Sequence, residues 1–355
     1  MPVTNSLSDS ATADRPVNRA MDRPDRVSMD NVPGSNTLLT RKNLARLNAL
    51  NGTEDSTKDD SKHSAYLFDD TDTNDTMKHT STTDSGFEKR AYENGFWEVP
   101  STQDVSTART RFAQHRTSPQ PSEQTHQRYR DDISESYNEA TASYLVQSDI
   151  MRDYRYDCNY GRYLNRAITE IPTQDFNHGL SNAEPDVLEG LKTRVLPEHL
   201  HDNALHKKDS LSFCHFAAEF KRTDGNLHQA RLQAAYDGAI LVNARERALE
   251  RARANPSADI AALDKAANEV AVSTCVTDGK VAEVYAHYYD GEYHQDMVGC
   301  ESLLDSSRGR ELIRNTQDYA RGKSYELANL LGADLEEEEE NVVVKAMKAV
   351  VRWFW

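Results

Sequence analysis

The chain has 355 residues with 42 Lys and Arg against 58 Asp and Glu, giving a formal net charge of −16 at pH 7. This balance argues against tight nonspecific binding of nucleic acid, because neutralisation of phosphates by basic side chains drives such binding. The four cysteines lack Cys-x-x-Cys spacing, and no apolar signal region opens the chain. We therefore expect no structural zinc site, no signal peptide and no transmembrane helix, and an intracellular protein of the nucleus or cytoplasm.

The N-terminal part of the chain is polar and poor in aromatic residues. Residues 1–65 contain no Phe, Trp or Tyr and are dense in Ser, Thr, Asp, Asn and Arg. Residues 66–130 add a few aromatics to the same polar background. Such a segment cannot bury enough apolar surface to offset the entropy of an ordered chain. The composition therefore predicts a long disordered region over residues 1–128.

A folded domain is predicted over residues 129–335. Apolar residues from Ile133 to Leu145 repeat at helical spacing, which predicts a first helix. The tyrosine-rich stretch 151–170 is predicted to form a second helix, which the Pro172 that follows cannot continue.

Two carboxylates and a lysine occur at predicted strand ends in the middle of the chain. Asp186 follows a proline, and the apolar run Ser212–Lys221 predicts a buried strand that ends in Glu219 and Lys221. Because side chains alternate along a strand, Glu219 and Lys221 point to the same face. Burying a carboxylate and an ammonium is costly without a partner or a function. These residues suit a Mg²⁺ site, with oxygen ligands for the ion and a cation to orient or deprotonate the attacking water.

A long helix is predicted directly after this strand. Small and apolar residues from Leu227 to Val242 fall on one helical face, whereas Gln229, Gln233 and Tyr236 fall on another. The rest of the domain is predicted to form a helix, three strands separated by Asp-Gly hairpin turns, and a last helix. These elements span 257–270, 271–277, 280–289, 292–300 and 307–331. The predicted fold class is α/β (α+β), with a mixed central sheet flanked by helices.

The motifs Pro185-Asp186 and Glu219-Phe220-Lys221, followed by the Gln-containing helix, resemble the signature of the PD-(D/E)XK nuclease superfamily. This superfamily has the restriction-endonuclease-like fold. Residues 130–335 are also similar in pattern to a group of uncharacterised fungal proteins with such a domain. In the present chain Gln233 and Tyr236 are three residues apart, whereas the exonuclease branch usually has a spacing of four.

The resemblance implies a metal-dependent nuclease acting on DNA or RNA. By that resemblance, Asp186 and Glu219 would bind Mg²⁺ or Mn²⁺, helped by the backbone carbonyl of Phe220. Lys221 would position the water and stabilise the charged transition state, and Gln233 would orient the site or contact phosphate.

Two further features are expected of such a nuclease. The superfamily often adds a glutamate from the first core helix, for which Glu170 is the candidate here. Nucleic acid would be bound in a local cleft, and the chain offers a candidate basic edge for it. That edge would consist of Lys207, Lys208, Arg222, Arg231, Arg245 and Arg247.

The C-terminal segment 336–355 has a separate character. The acidic run Glu336–Glu340 is typical of a solvated spacer. In 341–355, basic residues at helical spacing leave a broad apolar face, which suits a membrane surface or the groove of a protein partner. The same segment could instead fold back on the domain.

Three functional interpretations stay open at this point. The first is an active nuclease, favoured by the joint presence of Asp186, Glu219 and Lys221. The second is a catalytically inactive nuclease-like fold that acts as a protein-interaction scaffold, favoured by the acidic balance. The third is a structural or effector-like protein of unrelated α+β fold, in which Asp186 lies far from Glu219.

Overall fold

The computed structural model describes six stretches of the chain: 80–95, 104–117, 120–169, 177–205, 210–305 and 307–335. Most of the segment predicted to be disordered, and the whole C-terminal segment 336–355, lie outside the described residues. Of the helices in the described stretches, none combines the length and apolarity that crossing a bilayer requires.

A six-stranded mixed sheet forms the centre of the fold, and its strands are arranged in chain order. All neighbouring strands are antiparallel except the third and fourth, which are parallel. The strands are β1 Tyr160–Leu164, β2 Val187–Lys192, β3 Leu211–Phe220, β4 Val272–Thr277, β5 Val281–Tyr289 and β6 Tyr293–Ser302. The predicted mixed sheet is therefore confirmed.

Seven α-helices in the described residues flank this sheet. They are α1 Phe87–Glu93, α2 Ser106–Phe112, α3 Glu123–Ser134, α4 Glu139–Leu145, α5 Leu227–Arg253, α6 Ile260–Ala267 and α7 Arg308–Leu330. A parallel pair of strands needs a long crossover connection, and α5 supplies it between β3 and β4. A π-helical turn, Val146–Ile150, continues α4.

The start and the position of α5 follow from its sequence. The side chain of Asn226 caps the helix by accepting hydrogen bonds from the backbone N–H groups of His228 and Gln229. A Cβ atom at Gly238 would overlap the ring of His287 on β5. The glycine therefore lets α5 lie close against the sheet, which places its polar residues near the strand ends.

Two large apolar clusters of the described residues meet at β3. Every residue of β3 is buried, and between Phe216 and Phe220 its side chains alternate between the two sides of the sheet. Phe216, Ala218 and Phe220 pack with α2, α3, α4 and α7, whereas Ala217 packs with α1 and α5. The residues at the exit of β3 are therefore held between two helical layers.

The structure corrects two predictions about the N-terminal half of the domain. Packed structure begins before the predicted boundary at residue 129, since Phe87 of α1 and Phe112 of α2 are both 1% exposed. The helix predicted over 151–170 is wrong: residues 160–164 form β1, because their register with β2 pairs Tyr160 with Leu191 at the sheet edge. The helical, strand and hairpin predictions after residue 210 are confirmed within a few residues.

Candidate functional site

Asp186 and Glu219 face each other across the antiparallel pair of β2 and β3. Asp186 directly precedes β2, and Val187 is paired with Ala218, so the next position along the ladder sets Asp186 opposite Glu219. Directly opposed residues project from the same face of a sheet. The backbone N–H of Phe220 donates a 2.7 Å hydrogen bond to Asp186 Oδ2 and fixes that carboxylate at the strand end. The structure thus brings together the two predicted carboxylates.

Lys221 lies beside this pair, at the point where β3 ends. Its Nζ is 4.0 Å from Glu219 Oε2 and 4.0 Å from Glu139 Oε1 of α4. It also donates a 2.9 Å hydrogen bond to the carbonyl of Phe220. The backbone N–H of Lys221 donates to the carbonyl of Thr277 at 2.8 Å, which ties the residue to β4. With 12% of its side chain exposed, the ammonium faces a restricted space shared with carboxylates.

Asp237 of α5 adds a third carboxyl group that the sequence pattern does not single out. Asp237 is 2% exposed and its carboxyl group is hydrogen-bonded to that of Glu219, itself 2% exposed. The residue lies between Tyr236 and Gly238 in the helix, next to positions read as apolar or small. A charged residue within a buried stretch of helix is rare unless it is paired, and that is the signal that could have identified it.

Burial dominates the electrostatics of the three carboxyl groups. It raises the pKa of Asp186 to about 6, although the hydrogen bond from Phe220 and the charge of Lys221 oppose the change. Burial and the nearby carboxylates raise the pKa of Glu219 well above its ordinary value, and burial also raises the pKa of Asp237. The positive charge of Lys221 opposes the rise of the pKa in all three groups but does not cancel it. The cluster therefore holds protons near neutral pH, because its negative charge exceeds the one ammonium beside it.

Gln233 lies on α5 one turn before Asp237, a spacing that places both residues on the same side of the helix. Its Nε2 donates a long 3.4 Å hydrogen bond to Thr82 Oγ1, and its Oε1 is buried without a hydrogen-bond partner. No hydrogen bond between described residues joins Gln233 to the carboxylates. Tyr236 points elsewhere and donates to the carbonyl of Ser181 at 2.7 Å.

A glutamate from a helix that precedes the sheet does reach the site, but it is not the predicted one. Glu170 lies outside the described residues. Glu139, in the first turn of α4, is the residue near Lys221. Its helix begins at Asn138, whose side chain accepts a hydrogen bond from the backbone N–H of Thr141. That capping pattern was readable in the sequence, whereas the proximity of Glu139 to Lys221 depends on the tertiary fold.

Two members of the predicted basic edge have partners inside the fold. Arg245 is buried and its guanidinium contacts His215 at 3.4 Å. Arg231 donates two hydrogen bonds, of 2.7 and 2.6 Å, to the carboxylate of Glu283. These side chains are thus committed within the fold, and Lys207 and Lys208 lie outside the described residues.

The donor atoms at this site are all oxygens. Across the described stretches, no group of three or more His, Cys, Asp or Glu side chains is placed so that it could hold a metal ion. Mg²⁺ commonly uses only one or two carboxylates and keeps several waters. Facing carboxylates beside a lysine can also share or transfer protons. The arrangement is therefore chemically suited to a weakly held divalent ion or to general acid–base work.

Comparison with known proteins assigns the chain to a family. A family model described as "Domain of unknown function (DUF7924)" matches residues 117–355, which is more than half of the chain. The chain therefore belongs to this family. The comparisons with curated proteins and with solved structures each gave no match.

Proposed function

We propose that this member of the DUF7924 family is a Mg²⁺- or Mn²⁺-dependent nuclease that hydrolyses phosphodiester bonds of DNA or RNA. The observation that carries the proposal is the convergence of Asp186, Glu219 and Lys221 at the end of the β2–β3 pair. These are the three residue types of the PD-(D/E)XK signature, held on adjacent strands in the order that the signature requires.

The topology supports a restriction-endonuclease-like fold for the proposed enzyme. An antiparallel run of three strands ends in Glu219 and Lys221, a long helix crosses over, and a fourth strand lies parallel to the third. Helices precede and follow this unit. A large separation of Asp186 from Glu219 would have selected the unrelated α+β fold, so the register that sets them opposite each other supports the proposal.

The donor chemistry of the site supports a hard divalent cation. Asp186 and Glu219 present carboxylate oxygens from the same face of adjacent strands, and the negative charge around them exceeds that of Lys221. The carbonyl of Phe220 accepts a hydrogen bond from Lys221 Nζ, so its use as a ligand requires Lys221 to release it. When bound, Mg²⁺ would supply Lewis-acid polarisation of the phosphate and a water of lowered pKa.

The remaining side chains would then have separate roles. Lys221, released from the Phe220 carbonyl, would orient the attacking water and stabilise negative charge on the phosphate oxygens. Asp237 would hold the carboxyl of Glu219 in place through their shared hydrogen bond. Glu139, with 33% of its side chain exposed, would hold Lys221 at the edge of the site.

One observation favours the alternative of an inactive, nuclease-like scaffold. The proposed ligand Glu219 is hydrogen-bonded to Asp237, and the carbonyl of Phe220 is hydrogen-bonded to Lys221. A site whose donors already have partners within the protein can persist without an ion. In that case the domain would act through its surface and through the segments outside the described residues.

Cleavage assays on single- and double-stranded DNA and RNA with Mn²⁺ distinguish the two functions. For the nuclease, Glu219→Gln should abolish cleavage while the domain stays folded, because it removes a ligand charge at nearly constant shape. Lys221→Ala should reduce turnover by about 10²-fold or more, as expected for loss of a group that stabilises transition-state charge. Wild-type protein inactive on every substrate would leave only the scaffold.

A further inference from the structure

A cleft of about 830 Å³ lies along β1, the edge strand of the sheet. Its walls come from α4 and the π-helical turn after it, from the loop before β1 and from the end of β2. Four basic side chains and one acidic side chain line it: Arg155, Arg162, Lys192, Arg194 and Asp153. The cleft is therefore locally positive although the whole chain is acidic.

Two of these basic residues are neutralised within the protein. Arg162 donates hydrogen bonds of 2.8 and 2.6 Å to the buried carboxylate of Glu189. Arg155 forms an ion pair of 2.7 Å with Asp153. The charge available to a ligand must therefore come from the other two residues.

Lys192 and Arg194 carry that available charge. Lys192 Nζ donates to the backbone carbonyl of Asp157, and Arg194 is exposed. Neither residue forms an ion pair with another described residue. A Cβ atom at Gly161 would lie 3.1 Å from Lys192 Cε, so the glycine leaves room for the lysine to cross over β1. Two positive charges thus face the cleft without a carboxylate partner.

Aromatic and apolar side chains line the same cleft as these charges. Tyr144 lines the cleft and is 69% exposed, and Leu164 lines it and is 49% exposed. Tyr163 is covered by the guanidinium of Arg166 at 4.5 Å from its ring centre. Exposed aromatic rings next to uncompensated positive charge are the two components of sites that bind single-stranded nucleic acid. A duplex would offer phosphates but no unstacked bases for Tyr144.

One end of the cleft lies next to the start of β2, which Asp186 directly precedes. Leu164 is paired with Val187, and the backbone N–H of the next residue, Asn165, donates to the carbonyl of Asp186 at 3.1 Å. Since a strand rises about 3.3 Å per residue, Lys192 lies about 20 Å along β2 from Asp186. The helix α4 carries residues of both places, Glu139 beside Lys221 and Tyr144 in the cleft.

We infer that this cleft binds single-stranded nucleic acid, through phosphate contacts of Lys192 and Arg194 and stacking of a base on Tyr144. The inference deepens the proposed nuclease function and rests on it for the direction in which the strand is led, toward Asp186 and Glu219. Binding itself requires no metal and no cleavage. The net charge of −16 limits general affinity for nucleic acid but not the local attraction of the cleft.

The test is a binding titration of the full-length chain in EDTA with a fluorescein-labelled oligodeoxythymidine of about 12 nucleotides, within the usual size range of single-strand sites. The measured quantity is the slope of log K against the logarithm of the salt concentration. The double variant Lys192→Ala, Arg194→Ala should make this slope less steep by about 1.4, because each phosphate contact on a single strand contributes about 0.7. Tyr144→Ala should weaken binding about tenfold.

Matched controls keep the result specific to the cleft. Tyr92→Ala removes a tyrosine of similar exposure, 68%, on α1. The double variant Lys89→Ala, Lys265→Ala removes two positive charges from α1 and α6. Both controls should bind like the wild type. The charge-keeping double variant Lys192→Arg, Arg194→Lys should also retain binding, which separates lost charge from misfolding.

Several results would overturn the inference. Absence of binding by the wild type contradicts it, as do equal affinities of the cleft variants and the controls for the oligonucleotide. A preference for the duplex of the same length, or displacement of the oligonucleotide by an acidic peptide at equal concentration, would contradict it as well. Failure of the nuclease proposal looks different. In that case the oligonucleotide binds in EDTA with the predicted dependence on Lys192, Arg194 and Tyr144, but no divalent ion produces cleavage.

Discussion

Two buried glutamates on neighbouring strands, Glu189 of β2 and Glu219 of β3, have opposite surroundings. Glu189 is 0% exposed, and its Oε1 accepts two hydrogen bonds from Arg162 and one of 2.7 Å from Gln317. Burial still raises the pKa of Glu189, but the arginine charge and these hydrogen bonds oppose the shift. This carboxylate has a charge partner and three donors at Oε1, whereas its buried Oε2 has no hydrogen-bond partner among the described residues.

Glu219 is 2% exposed but has a poorer set of partners. The Nζ atom of Lys221 lies 4.0 Å from Glu219 Oε2. The hydrogen-bond partner of Glu219 is another carboxyl group, that of Asp237. Buried ion pairs with good geometry are common structural elements, whereas carboxylates held together without matching cations are concentrated at functional sites. The difference teaches that burial alone does not mark a functional carboxylate, and that the local balance of charge does.

The largest expected effect is a difference in the free energy of unfolding between loss of Arg162, the partner of Glu189, and loss of Lys221, the partner of Glu219. Arg162→Met leaves Glu189 buried without its cation, and removal of one partner from a buried pair costs about 3–5 kcal/mol. Lys221→Met should cost less than about 1 kcal/mol, because its carboxylate partners lie 4.0 Å away at a strand end and can hold protons instead. Denaturant unfolding of both variants measures the free energies of unfolding.

A matched control is Lys280→Met, which removes an ion pair of 3.1 Å with the exposed Asp224. Its effect should stay within about 0.5 kcal/mol of the wild type. Equal losses of stability for Arg162→Met and Lys221→Met would contradict the comparison, because both sites would then be structural ion pairs.

The second prediction concerns pH in the absence of divalent ions. A carboxyl group whose pKa is raised by folding contributes stability below its unfolded pKa of about 4, and this contribution is lost as the pH rises through the folded value. With the pKa of Asp186 at about 6 and that of Asp237 also raised, thermal stability should fall as the pH increases from about 4 through 6.

Asp237→Asn tests this origin of the pH dependence. The amide can donate a hydrogen bond to an ionised Glu219, so the decline in Tm between pH 5 and pH 8 should become shallower by a few degrees. Thermal melts in EDTA measure it, with the exposed Asp264→Asn on α6 as control. A decline that is unchanged in Asp237→Asn would remove the buried carboxyl pair as its cause.

The smallest expected effect belongs to Gln233. Its hydrogen bond to Thr82 is 3.4 Å long and its Oε1 is unpartnered, so Gln233→Ala should cost less than about 1 kcal/mol. Gln229→Ala, one turn earlier on the same face of α5, serves as the comparison. If Gln233→Ala lowered the free energy of unfolding by more than about 2 kcal/mol in a denaturant titration, Gln233 would be a structural residue like Arg162.

Much of the sheet could be predicted from sequence because its signals are local. The Asp-Gly pairs at 278–279 and 290–291 mark the hairpin turns, and the alternation along β5 identifies its strand. The helix predicted over 151–170 failed because β1 is a short edge strand, and it takes its conformation from pairing with β2 rather than from its own periodicity. Pairing partners distant in sequence leave no local signal.

The candidate site divides in the same way. Glu219 and Lys221 could be placed on one face from strand alternation, and the register of β2 with β3 then brought Asp186 opposite Glu219. Glu139 and Asp237 could not be found from spacing, since each reaches the site from a helix whose position depends on tertiary packing. The alternation of side chains within one strand is set locally, whereas strand register and helix placement depend on the tertiary fold.

Calorimetric titration of Mn²⁺ into the full-length chain tests the central claim most directly. Wild type and Lys221→Ala should each show saturable binding of about one ion, because Lys221 is not a ligand, whereas Glu219→Gln should show none. Glu189→Gln, a matched substitution of the compensated glutamate, should keep binding if it stays folded. Absence of Mn²⁺ binding by the folded wild type, or undiminished binding by Glu219→Gln, would contradict the account.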